Sequence, residues 1–85
     1  MSNRTENGIV WDQELDARGL LCPLPVLKAR KRLSEMQSGE VLRLVADDPA
    51  AVIDVPHFCA ESGHVLLTAE GGGEDDLGIF LIRRR

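Results

Sequence analysis

Residues 20–37 read Leu20-Leu21-Cys22-Pro23-Leu24-Pro25-Val26-Leu27-Lys28-Ala29-Arg30-Lys31-Arg32-Leu33-Ser34-Glu35-Met36-Gln37, and the fold is decided here. Two prolines stand where a helix begins, because a first-turn amide has no intrahelical partner to lose. Val26, Ala29, Leu33 and Met36 then recur at i, i+3, i+7 and i+10. That single apolar stripe predicts a helix from Pro23 to about Gln37. Lys28, Lys31, Arg32 and Glu35 occupy the opposite face. Arg30 lies at the stripe's edge, where its stem covers the core and its head reaches the rim. Ser38-Gly39 supplies the stop.

Upstream, Ile9–Ala17 reads as a strand, with Leu15 and Ala17 on one face and Asp12, Glu14 and Asp16 on the other. Residues 1–8 read as a flexible tail, and 9–85 as one domain. Downstream, Glu40–Ala46 is a largely buried strand. Asp47-Asp48-Pro49 starts a second helix, with Asp48 as N-cap and Pro49 in the first helical position. Pro56 predicts a break or kink near Asp54 and Val55, with Asp54 capping a restarted segment and Val55, Phe58 and Cys59 on its inner face. Gly63 ends it. His64–Glu70 alternates as a strand with Val65, Leu67 and Ala69 on one side. A glycine-rich turn over 71–76 leads to a last strand, Leu77–Ile82. The order is βαβαββ. It predicts an α+β fold, a two-layer sandwich in which a four-stranded mixed sheet carries both helices on one face.

Composition narrows function. Fourteen acidic side chains against ten basic ones leave a net charge of −4, which disfavours a direct nucleic-acid binder needing a dominant positive field. Eighty-five residues leave no room for a cleft between domains. Apolar runs such as Ile79-Phe80-Leu81-Ile82 fall far short of a membrane span. The polar N-terminus carries no export signal, and two cysteines make no disulfide scaffold. The expected compartment is reducing and cytoplasmic.

Cys22 is the chemical centre. As the residue before a helix it is expected to act as N-cap, its sulfur accepting from the Leu24 amide and facing the positive end of the dipole. Pro25 removes the next donor. Such placement lowers a thiol pKa, and Arg18 and Lys28 are expected to add to the effect. A dithiol oxidoreductase needs a second cysteine where Pro25 stands. A cysteine hydrolase needs a paired histidine and an oxyanion pocket, for which the chain has little room. A lone exposed thiol suits a carrier that takes a group and passes it on. Cys59 reads as a buried structural cysteine. His57, Cys59 and His64 do not match a common zinc spacing, so no metal and no cofactor are expected.

Leu15-Asp16-Ala17-Arg18-Gly19-Leu20-Leu21-Cys22-Pro23-Leu24-Pro25 closely resembles the N-terminal signature of the TusA/SirA-like family of small sulfur carriers, with Cys-Pro-x-Pro at its centre. The resemblance continues through Ala46-Asp47-Asp48-Pro49-Ala50 and Asp54-Val55-Pro56-His57-Phe58-Cys59 to the closing strand. It implies a sandwich like the C-terminal domain of translation initiation factor 3. It also implies a transient persulfide on Cys22, supported by the motif residues Gly19, Pro23 and Pro25. The sulfur would come from a cysteine desulfurase or another donor and pass to a relay protein serving tRNA 2-thiouridine formation. Sulfur oxidation, molybdenum-cofactor supply, a regulatory interaction module and a thiol redox sensor are the alternatives. The implied molecule is a sulfurtransferase-type carrier, monomeric when free, rather than a stand-alone enzyme. Leu24 departs from the acidic residue many members carry between the prolines. Asp48 stands at an acidic position of the family pattern, although its place as an N-cap accounts for it on structural grounds. Arg18, Lys28, Arg30, Lys31 and Arg32 are the candidate docking residues for partners.

Overall fold

The computed structural model describes residues 4–73 and 76–85. Eight elements follow in order: β1 (Thr5–Glu6), β2 (Ile9–Val10), β3 (Gln13–Asp16), α1 (Leu24–Glu35), β4 (Val41–Ala46), α2 (Ala51–Ser62), β5 (Val65–Gly71) and β6 (Gly78–Arg83). The main sheet has the order β3-β4-β6-β5, with β3 parallel to β4 and the other pairings antiparallel. Both helices pack on one face, as the patterning requires. Leu15, Leu42, Leu44, Phe80 and Ile82 from the sheet enclose a core with Ala29, Leu33 and Met36 of α1 and its end, and with Val55, Phe58 and Cys59 of α2.

The expected first strand is two pieces. Ile9–Val10 pairs with Thr5–Glu6 in a separate hairpin, inside the stretch read as a tail, and only Gln13–Asp16 joins the main sheet. The hairpin has a physical purpose. Arg43 points to the sheet face without helices, where it bonds Glu6 and Glu14 and lies 5.7 Å from the Trp11 ring. These side chains cover a half-buried cation that the helices cannot reach.

Pro56 does not break the second helix, which runs unbroken from Ala51 to Ser62. The ring removes one hydrogen bond, the one its amide would give to Val52. An uninterrupted helix keeps Val55, Phe58 and Cys59 in the core, and burying them outweighs that loss. The helix also starts later than expected. Ala50, not Asp48, is its N-cap, although Asp48 Oδ1 still accepts the Ala50 amide at 3.1 Å. Gly63 ends it in the left-handed conformation at φ 83°. Strand β5 departs from strict alternation. A register shift between Leu66 and Thr68 places Leu66 opposite the core residue Ile82 and Ala69 opposite the core residue Phe80 while Val65 is exposed, so Val65, Leu67 and Ala69 do not share one side as expected. Positions 74 and 75 of the expected glycine-rich turn lie outside the described residues. Among the described residues, no helix is long and apolar enough to cross a membrane.

Candidate thiol site

Parallel pairing of β3 with β4 places the exits of both strands at the same end of the sheet. Loop 17–23 leaves one and Asp47-Asp48-Pro49 leaves the other, so the two loops meet. The Asp47 carboxylate accepts the Gly19 amide at 2.9 and 3.1 Å. Gly19 holds φ at 81°, a conformation that a side chain would strain. Asp48 Oδ2 accepts the Cys22 amide at 2.6 Å while Oδ1 takes Ala50. One carboxylate thus ties the thiol loop to the start of α2. Asp48 does more than the local capping read from the sequence.

Cys22 is exposed, and its peptide bond to Pro23 is cis. It is not the helix N-cap. Pro23 holds that position, and the Leu24 amide donates to the Leu21 carbonyl at 2.8 Å, which leaves the sulfur without that contact. The expected acidic thiol is therefore corrected. The Cys22 pKa is raised above its ordinary value, first by a hydrogen bond to the Asp54 carboxylate, then by desolvation and by the charges of Asp54 and Asp48. Arg18 does not help, because its guanidinium forks onto Asp16 at 2.9 and 2.8 Å. That pairing holds the Asp16 carboxyl down at about 2.

The thiol opens into a groove of about 230 Å³ between α1 and α2, floored by Val26, Leu27 and Phe58 and rimmed by Arg30, Asp54, His57 and Glu61. His57 Nε2 lies 3.2 Å from Glu61. Of the basic residues singled out from the sequence, Arg30 alone lines this groove. Lys28, Lys31 and Arg32 line a separate hollow with Leu15 and Glu35, and Arg32 donates to the Glu14 carbonyl at 3.0 Å beside the outer strand β3. Pro23 lines the groove, whereas Pro25 is buried. Beside these polar groups stand exposed apolar side chains: Leu21 is 69% exposed, Ile53 next to Asp54 in sequence is 74% exposed, and Leu24 and Leu27 are exposed as well. Exposed apolar groups of this size are enriched at surfaces that proteins use to contact one another. Sequence reading missed Asp54, His57 and Glu61. Their i, i+3, i+7 spacing was the available signal, but the expected break at Pro56 hid it.

Cys59 is buried in the core, and burial pushes its thiol up to about 11. Among the described residues no three histidine, cysteine or carboxylate side chains gather as metal ligands.

Comparison with known proteins agrees with this geometry. The profile of the sulfurtransferase TusA family matches residues 13–84. The chain is 50% identical over 75 residues to the sulfur carrier protein TusA of Allochromatium vinosum, spanning 87% of this chain and 95% of that one. Its fold is similar to the crystal structure of a SirA-like protein from Desulfitobacterium hafniense, with a TM-score of 0.64, 23% identity, and coverage of 84% of this chain and 96% of that one. The chain belongs to the sulfurtransferase TusA family.

Proposed function

We propose that Cys22 carries the sulfur as a persulfide, taking it from a cysteine desulfurase and passing it to an acceptor protein that serves 2-thiouridine formation in tRNA. One observation carries this reading: of two thiols, only Cys22 is exposed, on a loop pinned by Asp48 at the mouth of an open groove. Loading is an exchange without net oxidation. The Cys22 sulfur attacks the terminal sulfur of the donor's persulfide, a new S–S bond forms, the donor's S–S bond breaks, and the donor leaves as a thiol. The Cys22 proton is passed to the leaving thiolate through solvent. Delivery is the same step with the acceptor's cysteine as attacker. A persulfide is more acidic than a thiol, so loading works against the upward shift that the carboxylates impose on Cys22. The exposed apolar side chains and the groove are open to the larger proteins between which a carrier must shuttle. The net charge of −4 is consistent with tRNA being reached through those proteins.

A chase with labelled sulfur tests the relay. The protein is loaded by a cysteine desulfurase and radiolabelled cysteine, freed of the donor, and mixed with a relay acceptor. Label is expected to move to the acceptor cysteine, and Cys22→Ser to carry none. Label that stays on the protein, or that Cys22→Ser still relays, contradicts the reading.

A further inference from the structure

A second hollow of about 400 Å³ continues from the Cys22 groove and shares Arg30, Phe58 and Glu61 with it. Its far wall brings in His64, Arg84 and Arg85 from the ends of the last two strands. Three guanidiniums therefore share the hollow with one side-chain carboxylate, Glu61, which already has His57 as partner, and with the main-chain oxygen of Arg85, the last residue. Among the described residues, none of the three has a side-chain carboxylate within ion-pairing distance. Arg84 is held in place by main-chain oxygens, donating from Nε to Leu33 at 2.8 Å and from Nη1 to Arg85 at 2.9 Å. His64 Nδ1 accepts the Arg85 amide at 3.1 Å, which leaves the ring's proton on Nε2. Burial, then the charges of Arg85 and Arg84, lower its pKa. The basin is cationic on a chain that is acidic as a whole.

We propose that this basin is the anion-binding end of a docking trough for the protein segment that exchanges sulfur with Cys22. That segment places acidic side chains, set some residues away from its cysteine, over Arg30 and Arg85 with Arg84 and His64 behind them. The inference rests on the relay reading of Cys22 and adds a chemical polarity to its partner. The thiol end repels acids through Asp48, Asp54 and Glu61, while the far end attracts them. A partner cysteine with neutral neighbours and displaced acidic residues fits both ends. Without the basin, the net charge of −4 would favour a basic segment instead, so the sign of the preference decides the matter.

Synthetic peptides bearing a cysteine as its mixed disulfide with thionitrobenzoate supply the test. The Cys22 sulfur attacks the peptide sulfur and their S–S bond forms; the old S–S bond breaks, thionitrobenzoate leaves as a coloured anion, and the Cys22 proton goes to solvent. One peptide has glutamates spaced from the cysteine, a second has them adjacent, and a third has lysines in the spaced positions. At low salt the spaced-glutamate peptide is expected to exchange about tenfold faster than the lysine peptide, the range of electrostatic steering. High salt and Arg30→Glu with Arg85→Glu should remove the preference. Arg30→Lys with Arg85→Lys should retain it. So should Arg83→Glu, a single charge reversal on the sheet face away from the helices. A lysine peptide as fast or faster, a preference for adjacent glutamates, or a preference that survives the double reversal overturns the proposal. An oligouridylate that blocks exchange where a free glutamate peptide does not also overturns it, assigning the basin to phosphate. Equal rates for all peptides sink the docking polarity and leave the relay reading standing. No exchange with any peptide sinks both.

Discussion

Asp54→Asn is expected to make Cys22 react several-fold faster with iodoacetamide at neutral pH and to move the alkaline inflection of that rate downward. Iodoacetamide reports thiolate, and the hydrogen bond to the Asp54 carboxylate is the largest cause of the raised Cys22 pKa. The carboxylate accepts the thiol proton and repels the anion; an amide in its place still accepts a hydrogen bond but carries no charge. The sign follows for stability too. A thiol whose pKa rises on folding favours the folded state below its unfolded pKa, and that contribution disappears as pH rises through the folded value. Cys59 serves as internal control, since its burial and a pKa of about 11 keep it unalkylated until the chain unfolds. An unchanged or slower rate in Asp54→Asn would mean that the carboxylate does not govern the thiol. A raised pKa lowers the thiolate fraction and with it the rate of reaction with small electrophiles and oxidants.

Phe80→Ala is expected to cost about 3–5 kcal/mol, the range for removing a fully buried aromatic ring. The ring is 1% exposed in the centre of the sheet and packs so closely over Gly78 that a methyl group there would lie 2.8 Å from it. A domain of this size has about 4–13 kcal/mol in all. The variant should melt at least about 12 °C lower by circular dichroism, at roughly 4 °C per kcal/mol for a small domain. A shift of only a few degrees would show that the core closes around the gap, contrary to the packing described.

Much of this architecture is legible in the residues because burial leaves a periodic trace. The stripe of Val26, Ala29, Leu33 and Met36 yields α1, and Leu42 and Leu44 mark the inner face of β4. Cys22 is legible for a different reason: only chemistry explains sulfur in a proline-flanked turn. Three features were hidden, each by long-range contact. Pro56 suggests a break, but the core residues on either side of it keep the helix continuous. The register shift in β5 is imposed by pairing with β6 and leaves no local signal. The sign of the thiol's pKa shift depends on Asp48 and Asp54, more than twenty residues away, brought to the loop by the parallel β3–β4 pairing. Local reading sees a helix N-terminus near Cys22, whereas the fold places carboxylates there.

Intact mass spectrometry is the most direct test that Cys22 holds the sulfur. The protein, Cys22→Ser and Cys59→Ser are each incubated with a cysteine desulfurase and cysteine, then weighed before and after a reductant. The wild type and Cys59→Ser are expected to gain the mass of one sulfur atom, reversed by the reductant, while Cys22→Ser gains nothing. A gain in Cys22→Ser equal to that of the wild type, or none in any of the three proteins, would contradict the assignment.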